Sequence, residues 1–182
     1  MTPDRIIEVA SQYISLYETI PNTQWTSKII KNPATVSLKL VTAMEACEWQ
    51  KGWPYCAAFV EAVMLEAFAE DQAKVKKLKN LLAPSVMLTY SRCKNFIIKE
   101  PKPGSIFIMQ KAKGATGHAG IVGKDISKTA FSTIEANTSP GQAISAEADR
   151  NGDGIYAKSR KLVFDNASKG LHLIGFIDVM AI

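Results

Sequence analysis

The sequence predicts an α+β domain in which N-terminal helices pack on a C-terminal antiparallel β-sheet. Apolar residues recur at helical spacing up to about residue 100, and after the turn at 100–104 they form short runs typical of strands. The connections between those runs are short, which favours antiparallel pairing. At 182 residues, with 47% apolar and 21% charged residues, the chain is long enough for one domain with a substantial core.

The first half of the chain predicts a series of helices. The first has an apolar face and begins with Thr2 as a possible N-cap and Pro3 behind it. The break at 20–23 ends it, since Pro21 and Asn22 are turn residues. The predicted helices cover 3–19, 25–31, 34–49 and 54–69, followed by a charged helix and by another that starts at 83–85.

The second half predicts strands. Each apolar run is four to eight residues long and is bounded by turn residues such as Lys124-Asp125. Runs of this length at this spacing are typical of a sheet rather than of buried helices. The predicted strands cover 105–109, 118–123, 130–135, 154–160 and 171–177.

Cys56 is the first candidate for chemistry. Pro54 suits the first position of a helix, so Cys56 is expected in the first turn of the helix that follows. Unsatisfied N–H groups and the helix dipole favour an anion there, which lowers the pKa of a thiol and prepares it as a nucleophile. The alternative is a small buried side chain, spaced with Val60, Val63 and Ala67 on one helix face.

A nucleophilic cysteine needs a general base, and the chain has two histidines. His118 starts a predicted strand, where its side chain can face a cleft. Alternation places His172 opposite its apolar neighbours, which indicates a surface or locally satisfied histidine. Glu135 and Asn137 are two residues apart in a predicted strand, so either could accept the far N–H of His118.

Gln50 precedes Cys56 by six residues. Its side chain could donate to a tetrahedral oxyanion alongside the backbone N–H of Cys56. A polar residue at a helix end is also commonplace, so this remains a weak candidate for the oxyanion site.

The remaining cysteines and acidic residues indicate neither a disulfide framework nor a metal site. Cys47 and Cys93 are expected to be buried fillers, and no CxxC pair is present. The stretch Asp149-Arg150-Asn151-Gly152-Asp153-Gly154 resembles the start of a calcium loop. Its twelfth position is Arg160, where such loops require a bidentate glutamate. We therefore expect a hairpin loop, no metal and no cofactor.

The charge pattern gives a mild preference for anionic partners. The net charge is +5 and the pI is about 9.1, but the basic residues are dispersed except at 74–79. That run alternates with apolar residues and lacks interleaved aromatic residues, which argues against nucleic-acid binding. No apolar run reaches the roughly 20 residues that span a bilayer, and the N-terminus has no signal-peptide pattern, so we expect synthesis in the cytoplasm.

Four motifs, in this order, resemble the CHAP-domain amidases and peptidases of the NlpC/P60 group of papain-like peptidoglycan hydrolases. They are Gly-x-Pro-Tyr-Cys-Ala-Ala-Phe-Val at 52–60, Pro-x-Pro-Gly-Ser-Ile at 101–106, Gly-His-Ala-Gly-Ile-Val at 117–122 and Ile-Glu-Ala-Asn at 134–137. The resemblance implies a motif-bearing core at about 50–180, with 1–49 as a helical extension of the same domain. Tyr55 stands where the family often has tryptophan.

The resemblance also implies an activity. Cys56 would be the nucleophile, His118 the base, Glu135 the orienting acid and Asn137 a supporting polar residue. The substrate would be an amide bond of bacterial peptidoglycan, cleaved by an amidase or an endopeptidase that needs no cofactor.

The same resemblance, with the missing signal peptide, suits a monomeric phage lysin, a virion-borne muralytic protein or an injected effector. An effector of this kind would have an immunity or inhibitor protein as a partner. Delivery by a phage or a secretion system would bring it to the cell wall.

Two other functions stay open at this point. One is an amidase for a small γ-glutamyl or polyamine conjugate. The other is a non-catalytic binding domain that kept the fold.

Overall fold

A computed structural model describes residues 2–141, 152–165 and 169–182. Over these residues the chain is a mixed α+β fold with five α-helices and one eight-stranded sheet whose strand pairs are all antiparallel. The helices are α1 (Pro3–Ser11), α2 (Pro33–Glu45), α3 (Cys56–Ala67), α4 (Gln72–Leu81) and α5 (Val86–Arg92). The strands are β1 (Tyr17–Ile20), β2 (Gln24–Thr26), β3 (Ile97–Ile98), β4 (Ile106–Lys111), β5 (Gly117–Ile126), β6 (Ala130–Thr138), β7 (Gly154–Lys161) and β8 (Leu171–Ile177).

Strands β7, β6, β5 and β4 are neighbours in the sheet, whose full order is β2-β1-β7-β6-β5-β4-β8-β3. The β4–β5 pair places Met109 opposite His118, and the β6–β7 pair places Glu135 opposite Tyr156. Because β5 carries His118 and its neighbour β6 carries Glu135, these two chain segments lie side by side in the sheet.

Helix α3 is the central helix of the helical layer. It packs against α1, α2 and α4 and against strands β5 and β6. Its residues from Cys56 to Met64 are all buried, as expected for a helix that is apolar on every side. The start of α3 is consequently held in the core, next to the strand that begins at Gly117.

The sheet is curled, with a second apolar cluster on its concave face. Phe131 of β6 and Phe176 of β8 have ring centroids 5.1 Å apart, although two strands lie between them. In a flat sheet strands so separated would be roughly 14 Å apart, at about 4.8 Å per strand. Phe107, Val122 and Leu173 complete this cluster.

The N-terminal segment corrects the sequence prediction. The helix predicted over 3–19 ends at Ser11. Strand β2 begins the segment predicted as a helix over 25–31, and the rest of that segment is not helical, so residues 1–49 are not a purely helical extension. Ser15 takes a positive φ of 77° and its N–H donates to the carbonyl of Ile155. Ile155 donates in turn to the carbonyl of Leu16. Pairing with a distant strand has therefore overridden the local helical pattern.

Later boundaries differ by smaller amounts. Helix α3 begins at Cys56 rather than at Pro54, and α2 ends at Glu45 rather than at Trp49. In the described parts of the chain, no helix has the length and apolar character needed to cross a membrane.

Candidate active site

Cys56 is the first residue of α3. The first hydrogen bond of this helix runs from the N–H of Phe59 to the carbonyl of Tyr55, at 2.8 Å. The N–H of Cys56 therefore precedes the helical ladder and has no partner within the helix. The side chain is 5% exposed and lines a groove, so the thiol is held firmly but can be reached from one side.

The two ring nitrogens of His118 have different surroundings. Nε2 lies 2.9 Å from Oε2 of Glu135, and both side chains are fully buried. Within the described residues, Nδ1 makes no hydrogen bond of standard geometry. The ring is nevertheless close enough to Cys56 for each group to shift the pKa of the other. Nδ1 is thus the nitrogen available to exchange a proton with the sulfur.

Cys56 has a thiol pKa below its usual value. Burial is the largest single influence and acts to raise the pKa, but the hydrogen bonds and charge that favour the thiolate together outweigh it, and the His118 imidazole contributes most among them. The N–H groups of Ala119 and Ala57 stabilise the thiolate further. The site therefore favours the thiolate.

His118 has a pKa raised to about 9. Burial acts to lower the pKa, but Cys56 and Glu135 raise it by a larger amount. At neutral pH the two shifts favour a thiolate next to an imidazolium, which is the reactive form of a cysteine nucleophile.

Glu135 has a pKa well below its usual range. Burial opposes this, but hydrogen bonds and charges from Arg160 and His118 outweigh burial. Arg160 contacts both carboxylate oxygens, with Nε at 2.8 Å from Oε1. Thr133 Oγ1 donates to the same Oε1 at 2.5 Å. A bidentate arginine holds both the charge and the orientation of the carboxylate.

The sequence pattern did not predict Arg160 and Thr133 as site residues, and Arg160 was considered only as the twelfth position of a calcium-like loop. Arg160 lies opposite Phe131 on β6, four residues before Glu135, so its side chain must run along the sheet to reach the carboxylate. Alternation offered a partial signal, because a cation in the strand after the acid could share its face.

Because Gly120 has no side chain, it leaves space for the Glu135 carboxylate to approach His118. A Cβ at this position would lie 2.6 Å from the Phe107 ring, 2.9 Å from the carbonyl oxygen of Ile134 and 3.0 Å from Cγ of Glu135. The Phe107 ring also lies 5.9 Å from the His118 ring, centroid to centroid. A side chain at Gly120 would therefore displace the ring or the carboxylate.

Asn137 and Gln50 do not occupy the positions that the sequence suggested. Asn137 is buried but has a φ of 58° at a register shift in β6, so it is not extended alongside Glu135. The far N–H of His118 faces Glu135. Gln50 is exposed and is not among the residues that line the groove at Cys56.

His172 corrects another expectation. It is buried rather than on the surface, and among the described residues its Nδ1 has no hydrogen-bond partner. It lies opposite Gln110 of β4, and β4 separates its strand from that of His118. The structure therefore places His118, and not His172, at Cys56.

Cys47 and Cys93 are buried, as predicted, and both are free thiols in the described structure. Burial raises the pKa of Cys47 to about 12 and that of Cys93 to about 11. The three cysteines thus differ sharply in acidity, and Cys56 alone of them is shifted toward the thiolate.

The groove at Cys56 has a volume of about 190 Å³. Residues 53–54, 56–57, 84–86 and 115–117 form its walls, which come from the start of α3, the start of α5 and the turn before β5. An extended chain laid in this groove would pass over the sulfur.

Tyr55 fixes the start of α3. It is fully buried, and its hydroxyl accepts a hydrogen bond from Nε1 of Trp25 at 3.0 Å. The two rings meet edge to face with centroids 5.0 Å apart. Strand β2, which the sequence pattern did not predict, therefore packs against the residue next to Cys56 and holds it in place.

The calcium-like stretch falls partly outside the described residues, since Asp149, Arg150 and Asn151 are not among them. Asp153 is described, and its Oδ1 accepts a hydrogen bond from the Tyr156 hydroxyl at 3.1 Å. Across residues 2–141, 152–165 and 169–182, no three histidine, cysteine or acidic side chains are grouped so that they could hold a metal ion.

At pH 7, iodoacetamide is expected to alkylate Cys56 and to leave Cys47 and Cys93 unmodified in the folded protein. The thiolate is the reacting species, so the rate at Cys56 should fall only when the pH drops through its lowered pKa. Mass spectrometry of tryptic peptides after timed quenching measures each rate. Comparable rates at the three cysteines would contradict the assignment of Cys56.

No protein-family model and no curated protein matches the chain. A function for this site must therefore be argued from its geometry and from the motifs that build it.

Proposed function

We propose that the chain is a papain-like cysteine hydrolase that cleaves amide bonds in bacterial peptidoglycan. The observation that carries this proposal is that three buried side chains come together where α3 begins. They are Cys56 of α3, His118 of β5 and Glu135 of β6. These side chains supply a thiol of lowered pKa, an imidazole that acts on it, and a carboxylate 2.9 Å from the far ring nitrogen. Nucleophile, base and orienting group are the three parts that covalent acyl transfer needs.

The first half of the reaction forms an acyl-enzyme. The Cys56 sulfur, deprotonated by His118, attacks the carbonyl carbon of the scissile amide. Negative charge then develops on the carbonyl oxygen, and the N–H of Cys56 can donate to it because the helix leaves this group unused. His118 returns the proton to the leaving nitrogen, the C–N bond breaks and the amine departs.

The second half releases the product. His118 takes a proton from water, the hydroxide attacks the thioester carbonyl, and the C–S bond breaks to give a carboxylic acid and the thiolate. Glu135 keeps the imidazole in one orientation and stabilises its cationic form in both halves. Arg160 acts through Glu135 and is a positioning residue.

The choice of peptidoglycan as substrate is supported by the motifs around the site. The four motifs resemble those of the CHAP amidases and peptidases. The resemblance implies Cys56 as nucleophile, His118 as base and Glu135 as acid, and these three side chains lie close together. A net charge of +5 also suits an anionic wall polymer.

Purified peptidoglycan sacculi provide the direct test. The wild-type protein is expected to release muropeptide fragments, and mass spectrometry of the new termini identifies the scissile bond. Cys56→Ala should release none, because the attacking sulfur is absent. Cys93→Ala removes a buried thiol that is unrelated to the site, and is expected to retain release.

Equal release by the wild type and Cys56→Ala would remove Cys56 from the mechanism. Intact sacculi, combined with turnover of a soluble γ-glutamyl or polyamine amide, would keep the cysteine mechanism and change the substrate. Inertness toward both, with Cys56 unmodified by iodoacetamide, would indicate a binding domain.

A further inference from the structure

The groove at Cys56 continues into a second groove of about 520 Å³. The two share Trp53, Pro84 and Ser85 in their walls. Trp53 is 46% exposed at this junction, so its ring offers an apolar surface on which a ligand can pack. A substrate bound over the sulfur would extend past this ring into the second groove.

Glu61 lines the second groove. It follows Ala57, which lines the first groove, by four residues, so the two side chains lie on the same face of α3 about 6 Å apart. The side chain of Glu61 is only 5% exposed. Among the described residues, its Oε2 has no hydrogen-bond partner. A buried carboxyl oxygen without a partner is costly in a folded protein, and a ligand that donates to it removes that cost.

Within the described residues, no cationic side chain is hydrogen-bonded to Oε2 of Glu61. Arg92 lines the same groove, but its guanidinium donates to the carbonyl of Leu82. Lys79 also lines the groove and is exposed. Burial, with the charge of Glu48, raises the pKa of Glu61 to about 7, although Arg92 and Lys79 act in the opposite direction. Among the described residues Glu61 thus has cationic neighbours but no donor to Oε2, which leaves that oxygen open to an ammonium group of a ligand.

We propose that Glu61 forms a subsite for a primary ammonium group of the substrate, one helical turn beyond Ala57, the residue next to the nucleophile. The proposal rests on the proposed function for the identity of that substrate. Peptidoglycan stem peptides carry a diamino acid, and its side-chain amine on an aliphatic stem fits a groove with Trp53 at its entrance and Glu61 in its wall. The enzyme would then select stems whose amine is free over stems whose amine is acylated in a cross-link.

Binding without turnover tests the subsite. The protein carries Cys56→Ala, and the probes are two synthetic stem peptides that differ only in lysine or norleucine at the diamino position. Isothermal titration calorimetry at pH 8 is expected to show the lysine peptide bound about 10-fold more tightly. In the double variant Cys56→Ala with Glu61→Gln, the two peptides should bind within about 2-fold of one another.

Backbone NMR spectra of the Cys56→Ala protein give a readout that needs no change at Glu61. The lysine peptide should shift the Glu61 signals, and the norleucine peptide should shift those of Trp53 alone. Equal affinity for both peptides, a lysine preference that survives Glu61→Gln, or no binding of either peptide at millimolar concentration would each overturn the subsite.

The outcome for the subsite is separable from that for the proposed function. Cleavage of sacculi without a lysine preference would leave the hydrolase and remove the subsite. A lysine preference that depends on Glu61, in a protein that leaves sacculi intact, would keep the amine site and remove the peptidoglycan hydrolase.

Discussion

Replacing His118 with glutamine is expected to lower kcat/KM for amide hydrolysis about 10³-fold or more. A positioned general base contributes roughly 10²–10⁴-fold, and the same ring also protonates the leaving amine. The variant should change Cys56 as well. The imidazole contributes most among the groups that together outweigh burial in setting the thiol pKa, so its removal should let that pKa rise. Alkylation by iodoacetamide at pH 7 should therefore slow together with hydrolysis.

His172→Gln is the matched control, since it replaces the other histidine of the chain. This side chain is on β8, beyond β4 from His118, and hydrolysis should stay within about 2-fold of wild type. Release of fragments from sacculi and the rate of Cys56 alkylation are measured on both variants. If His118→Gln kept the alkylation rate of Cys56 while His172→Gln lost it, the base would have been assigned to the wrong ring.

The sequence identified the three central groups of the site because each depends on local pattern. Cys56 follows a proline before an apolar helical run, His118 starts a strand, and Glu135 lies in the next strand. Neighbouring strands joined by a short loop pair with each other, so His118 and Glu135 were expected to be close. Arg160 was missed because its contact with Glu135 depends on the register of β6 and β7 and on the full reach of its side chain.

The fold shows the same division between local and distant causes. Helices α2 to α5 and strands β4 to β8 follow hydrophobic period and turn residues, and were predicted to within a few residues at most ends. The local sequence pattern did not predict strands β1 and β2, because they form through contacts with distant parts of the chain. Tyr17 continues the helical spacing of α1, but it pairs with Gly154 of β7. Trp25 is the buried residue of β2 because its ring packs on Trp49 and Tyr55.

Replacing Arg160 with methionine is expected to lower the free energy of unfolding by about 3–5 kcal/mol at pH 7. The arginine binds both oxygens of a fully buried carboxylate, and removing it leaves that buried charge with His118 as its remaining charged partner, which is strongly destabilising. Catalysis should fall too, since Glu135 would then hold a proton or turn away from His118. Urea unfolding followed by circular dichroism measures the first effect, and the pH profile of Cys56 alkylation measures the second.

The pH dependence separates this account from simple loss of packing. In the wild type the pKa of Glu135 is depressed in the folded state, so this group contributes stability above its unfolded pKa near 4.3 that is lost as the pH falls. Without Arg160, His118 alone is left to oppose burial, so the pKa of Glu135 rises and the folded variant takes up a proton at a higher pH than the wild type does. The stability gap between wild type and variant should therefore be largest at pH 7, narrow toward about pH 4 as Glu135 of the folded variant takes up its proton, and narrow further below pH 4 as the wild type loses its own contribution. Arg5→Met breaks the exposed pair with Glu8 and should cost at most about 0.5 kcal/mol. A gap for Arg160→Met that stayed constant with pH would show that the arginine contributes by packing alone.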